Sequence, residues 1–129
     1  MERVNYSTGA QWEAIVGYSR AVRVGNVIHV AGTTAVGENG EVIEPDNSYL
    51  QTKYILEKIK KSIEHLGGRM EDVVRTRMFV VNIQDWEQIG RAHGEFFRDI
   101  RPVATMVEVK GLISPLLLIE IEAEAILLD

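Results

Sequence analysis

Acidic and apolar residues alternate strictly through "LLIEIEAEAIL", residues 117–127. Glu120, Glu122 and Glu124 stand at every second position, with Leu117, Ile119, Ile121, Ala123 and Ala125 between and around them. Successive side chains of a β-strand point to opposite faces, so the three carboxylates share one face and the apolar residues the other. A second strand is predicted over 103–109, "VATMVEV", joined to the first by a turn. The chain must therefore build a sheet with one apolar face to be covered and a second, partly charged face whose use decides the function.

The remaining pattern supplies the cover. Residues 20–31 predict a hairpin turning at Gly25-Asn26, and 32–46, rich in Gly and Thr with Asn39-Gly40, predict a loop or shallow hairpin. Ile55, Leu56, Ile59, Ile63 and Leu66 form an apolar stripe that predicts a helix over 48–66. Asp46 or Asn47 is placed to cap it, Ser48 and Gln51 have capping-box spacing, and Gly67-Gly68 ends it. A central strand is expected over 73–81, with Val74, Thr76, Met78 and Val80 opposing Arg75, Arg77, Phe79 and Val81. A second helix is expected over 86–99, with Asp85 and Gln88 at its start and Ile89, Ala92, Phe96 and Phe97 buried. The order is β-β-(β)-α-β-α-β-β. Two helices cover one face of a mixed sheet, giving a two-layer sandwich. The uncovered face, expected to carry Ala104, Met106, Leu118 and Ile126 beside the carboxylates, is too apolar for water, and self-association is its expected cover. The alternative is a monomer with one partly polar solvated face.

Length and charge narrow the function classes. A chain of 129 residues is expected to form one domain, 1–129. Its 19 acidic and 14 basic residues give a formal charge of −5, which offers nucleic acid no long-range attraction. No cysteine occurs, so disulfides and thiolate nucleophiles are excluded. No apolar run reaches membrane-spanning length, and a cytoplasmic location is the expectation. The three histidines have no metal-ligand spacing, "GTTAVGENG" lacks the lysine of a phosphate-binding loop, and Ser19 has no evident His-Asp partners. No cofactor or metal is expected.

Four segments carry a resemblance: "GYSRAVRVGNVIHVAGTTA" (17–35), the Gly-Gly leading into "VVRTRMFV" (67–80), "HGEFF" (93–97) and "RPVATMVEV…IEIEAEA" (101–125). Together they resemble the Rid family, also named YjgF/YER057c/UK114, over nearly the whole chain. The resemblance implies an α+β, chorismate-mutase-like fold and a homotrimer with three small-molecule clefts between subunits. It implies hydrolysis of enamine and imine intermediates to a 2-oxo acid and ammonia, while other members are assigned 2-aminomuconate deamination or carry a ribonuclease label. Matched residue by residue, Tyr18 falls on the family's cleft tyrosine, Gly32 on its strand glycine, Thr33 on the following glutamine and Glu120 on its late glutamate. An asparagine of the cleft corresponds to Gly90. The carboxylate-binding arginine of "PARS" corresponds to Ala104 in "PVAT", beside Thr105 and Met106, and a methyl group cannot replace a bidentate guanidinium.

Glu120 and Tyr18 are therefore the catalytic candidates, the first to move a proton or position water, the second to pack over a planar ligand. Gly32, Thr33, Gly90, Ala104, Thr105 and Met106 are the further ligand contacts that the match implies. Three residues come from the chain itself. His93, beside Gly94 in the second helix, can donate to a ligand or be satisfied locally, and Arg98 or Arg101 can return the lost positive charge. Arg20, Arg23, Arg75 or Arg77 is expected to neutralise some of the clustered carboxylates. A Rid-type hydrolase and a non-catalytic trimeric binder both fit. A ribonuclease fits poorly, since the acidic composition and the lack of aromatic-basic interleaving give RNA little hold.

Overall fold

The computed structural model describes residues 1–128; residue 129, the last of the expected domain, lies outside the described residues. Six strands form one sheet: β1 (Arg3–Tyr6), β2 (Ala21–Val24), β3 (Val27–Thr34), β4 (Val73–Val80), β5 (Val103–Glu108) and β6 (Ile119–Ile126), in the order β1-β2-β3-β6-β4-β5. Neighbours are antiparallel apart from the parallel pair β4/β5. Since β3 and β4 are both antiparallel to β6, they run parallel to each other with β6 slotted between them. Helices α1 (Ser48–His65) and α2 (Trp86–Phe97) are the two crossovers, β3-α1-β4 and β4-α2-β5. Same-handed crossovers advancing in one direction place both helices on one face, as expected.

The core lies between that face and the helices. Ile119, Ile121, Ala123 and Ala125 of β6 are all buried, facing Ile55, Leu56, Ile59 and Ile63 of α1 and Ile89 and Phe97 of α2. Asn47 caps α1 by accepting the Leu50 amide at 2.9 Å. Gly67, at φ +90°, ends it in the left-handed region, and the Gly68 amide then reaches the Ile63 carbonyl at 2.9 Å.

Several expectations are corrected. β1 was not foreseen: it is a short edge strand, anchored where Tyr6 stacks on His65 of α1 at 4.1 Å. Gln51 takes no part in a capping box. It is fully buried and bonds the Glu44 and Leu116 carbonyls and the Leu118 amide. Asp85 makes no side-chain cap. A bulge between Val73 and Arg75 buries Val73 and exposes Val74, reversing its expected side. Ala104 and Met106 are in register with Thr76 and Met78, whose side chains are buried, so they lie on the helix side and not on the open face. Leu118 precedes β6. The 32–46 segment holds the end of β3 and a single bridge, Val36 to Val42.

The open face is a charge ladder with an apolar margin. Arg77 meets Glu122 at 3.0 Å, Arg75 meets Glu124 at 3.2 Å, and His29 meets Glu124 at 3.4 Å. Arg75 and Arg77 thus neutralise the two C-terminal carboxylates, while Arg23 goes to the Gly25 and Leu66 carbonyls. Val103 and Val107, exposed, occupy the β5 side of this face.

Candidate functional site

Glu120 opens β6, opposite Thr34 of β3 and Phe79 of β4. Between Val30 and Thr33 the β3/β6 register slips, because three steps along β3 match two along β6. A bulge of this kind re-aims side chains near sites. Here it brings the Gly32 backbone against the Glu120 carboxyl so closely that a Cβ at position 32 would collide with Oε2. Only glycine leaves that carboxyl its place.

Arg20 grips the other side of the same glycine. Its Nη2 donates to the Gly32 carbonyl at 2.8 Å, while its Nε is buried and has no hydrogen-bond partner among the described residues. Its guanidinium lies 5.5 Å from the centroid of the Tyr18 ring. Tyr18 follows a short π-helical turn, Glu13–Gly17, and its amide bonds the Glu13 carbonyl at 2.9 Å. Glu13 fixes this turn from below. It is buried and accepts from the Ser7 hydroxyl, the Thr8 hydroxyl at 2.6 Å and the Thr8 amide at 3.2 Å. Burial alone would raise its pKa, but those hydrogen bonds, helped by the Arg20 charge, hold it below the usual carboxylate range.

The electrostatics of Glu120 run the other way. Burial raises its pKa, the Glu122 charge adds to that, and Arg20 only partly opposes it. A carboxyl so placed keeps its proton to higher pH than an ordinary glutamate. Behind it, Lys58 of α1 donates to the Thr34 and Val36 carbonyls at 2.9 and 3.1 Å. Burial, with repulsion from Arg20, lowers the Lys58 pKa to about 8.

The structure thus brings Glu120, Gly32 and Tyr18 together, with Arg20 at their centre. Thr33 does not join them: it is buried on the core side and its hydroxyl donates to the Ala31 carbonyl at 2.7 Å. His93 lies on the other side of the sheet, in α2, paired with the Thr76 hydroxyl at 2.9 Å and packed on Phe97 at 4.6 Å. Burial lowers its pKa, keeping the imidazole neutral at pH 7. Ala104 neighbours that Thr76 in register, with Met106 one step on and Thr105 turned to the open face. Gly90 is exposed on α2. Arg98 and Arg101 are both exposed at the end of α2, where Arg101, at φ +56°, donates from Nε to the Arg98 carbonyl at 3.1 Å. Gly90 thus lies on α2, Arg98 and Arg101 at its end and Ala104 on the helix side of β5, apart from Glu120, while Thr105 shares the open face with Arg77 and Glu122.

The Endoribonuclease L-PSP family model matches residues 8–127. The chain is a member of the Rid family. An uncharacterized protein of Streptomyces coelicolor is 37% identical over 119 residues, covering 92% of this chain and 87% of its own. A 3-aminoacrylate deaminase of Acinetobacter baylyi is 32% identical over 108 residues, covering 84% and 85%. Among solved structures, a Mycobacterium tuberculosis member of the YjgF/YER057c/UK114 family is 44% identical with a TM-score of 0.89, covering 98% of this chain and all of that one. That structure therefore shares this sheet and its two helices. Sequence reasoning placed Glu120, Gly32 and Tyr18 through that resemblance. It did not place Arg20 as the link between them, or Lys58 at all. The signal for Arg20 was its position two residues after Tyr18, at the start of a strand that pairs with the Gly32 segment.

Proposed function

We propose that this Rid protein hydrolyses small imines and enamines, releasing ammonia, in clefts that neighbouring copies complete in a homotrimer. The observation that carries this reading is the half-buried Glu120 carboxyl with its raised pKa, seated on a bulged glycine between Arg20 and the Tyr18 ring. Protonated Glu120 gives its proton to the enamine carbon or imine nitrogen. Water adds to the C=N carbon, and the Glu120 carboxylate takes the proton that the water loses. Collapse of the carbinolamine breaks the C–N bond, leaving a carbonyl and ammonia. The activity named for the Acinetobacter baylyi relative, deamination of 3-aminoacrylate, is of this type.

Two shallow hollows of about 310 and 290 Å³ lie elsewhere, one between the starts of α1 and α2 and one on the open face, and Glu120 lines neither. A site that excludes water thus needs walls from another copy, and the exposed Gly90 and Ala104 are the donors that the resemblance implies. The experiment is ammonia release from 2-aminoacrylate, 3-aminoacrylate and 2-aminomuconate. Glu120→Gln should lower the rate by about 100-fold or more, the usual worth of one acid-base group. Turnover unchanged by that substitution would overturn the reading. A second reading, a trimeric binder without turnover, is favoured if, as the resemblance implies, Ala104 stands at the position of the family's carboxylate-binding arginine; saturable binding with no ammonia release would select it.

A further inference from the structure

Building on the hydrolase reading, we infer that Arg20 sets the specificity of the Glu120 site by receiving the carboxylate of an anionic imine or enamine and of its 2-oxo acid product. Arg20 and Glu120 hold the same bulged residue from two sides, the guanidinium on the Gly32 carbonyl at 2.8 Å and the carboxyl against its Cα. The cation and the acid-base group are therefore fixed relative to each other. A 2-imino acid needs that pairing, because its carboxylate is bonded directly to the C=N carbon that water attacks.

The charge on Arg20 is not already spent. Arg75 and Arg77 meet Glu124 and Glu122, whereas among the described residues Arg20 has no ion pair and bonds only a carbonyl. Glu13, which feels its field, has its carboxylate taken by Ser7 and Thr8. Lys58, close enough to repel Arg20, also bonds only carbonyls, so it adds positive field on the α1 side of Arg20. Among the described residues the Nε of Arg20 is a charged donor without an acceptor, and since that atom is closed to solvent an incoming carboxylate meets the part-exposed side chain at its terminal nitrogens. Tyr18 under the guanidinium keeps its plane in position. Anion recognition has thus moved from β5, where Ala104 offers a methyl group, to the lead-in of β2.

The test is calorimetric titration with pyruvate and with uncharged methyl pyruvate. Their affinity ratio within one variant cancels any general loosening of the site. The intact protein should prefer pyruvate by at least about tenfold, the discrimination expected of a charge-assisted contact. Arg20→Gln, which keeps a donor for the Gly32 carbonyl, should bring the ratio near one, and Arg20→Lys should restore part of it. An unchanged ratio in Arg20→Gln, or no preference in the intact protein, overturns the assignment. The hydrolase reading is scored separately. A lost preference in a protein that never releases ammonia keeps Arg20 and sinks the hydrolase, whereas ammonia release with an Arg20-independent ratio does the reverse.

Discussion

Glu120 is the residue at which function and stability should separate. Its folded-state pKa is raised, so the folded chain holds a proton that the unfolded chain has lost. Stability from this group is complete below the unfolded value of about 4.5 and declines as pH climbs toward the raised folded value. At pH 8 the ionised carboxyl, half-buried and beside Glu122, is a liability that a neutral amide removes. Glu120→Gln should therefore melt no lower than the parent at pH 8, and its advantage should shrink toward pH 4. Paired thermal melts check the sign; a larger advantage at pH 4 contradicts it. Glu120 was legible in the sequence because a period of two sets it on the carboxylate face and the family match singles it out. Arg20 and Lys58 were not. Both are long side chains whose destinations are backbone carbonyls exposed by a bulge and a loop end, and no local pattern encodes those.

Most elements were legible because their periodicity is local. The isoleucine stripe of α1, the alternation of β6 and the Gly67 stop depend on neighbours within a few residues. What stayed hidden depends on distant partners: the bulges in β3 and β4, the four-residue edge strand β1, and the true task of Gln51. Gln51 was read as a capping partner of Ser48, yet its amide ties α1 to the segment leading into β6, with bonds of 3.0 Å to the Leu116 carbonyl and 2.9 Å from the Leu118 amide. It thereby holds the strand that carries Glu120. Gln51→Leu fills the same space but takes away the side-chain partner of the Leu116 carbonyl and the Leu118 amide, while the Glu44 carbonyl keeps the Asn47 amide at 3.1 Å. It should cost roughly 3 kcal/mol, lowering Tm by about 10 °C. Thermal and urea unfolding measure this, and a loss under about 1 kcal/mol would mean that the loop re-pairs its own backbone.

At the scale of the molecule, the open face poses the physical problem. Its arginines and glutamates neutralise one another in a ladder across β4 and β6, so the face is nearly without net charge, and it is bordered by Val103, Val107 and Ile126, all more than a third exposed. A surface whose charges are already paired loses less on leaving water than one with unpaired charges, and its aliphatic rim gains by burial, which suits packing against copies of itself. The exposed stretch of Trp12, Ile15, Val16 and Tyr18 beside the Glu120 site asks for cover in the same way. Sedimentation should therefore give a species near three times 14.5 kDa at micromolar concentration. Val103 is the place to perturb it, since it is 58% exposed and in register with Arg75. A lysine there costs the single chain little, but in an assembly it buries a cation beside an arginine. Val103→Lys should release single chains that keep their thermal melt, and ammonia release should fall with assembly although Glu120 is untouched. Single chains that retain full turnover would show that one copy closes the site unaided, and a trimer unaffected by the lysine would move the interface away from β5.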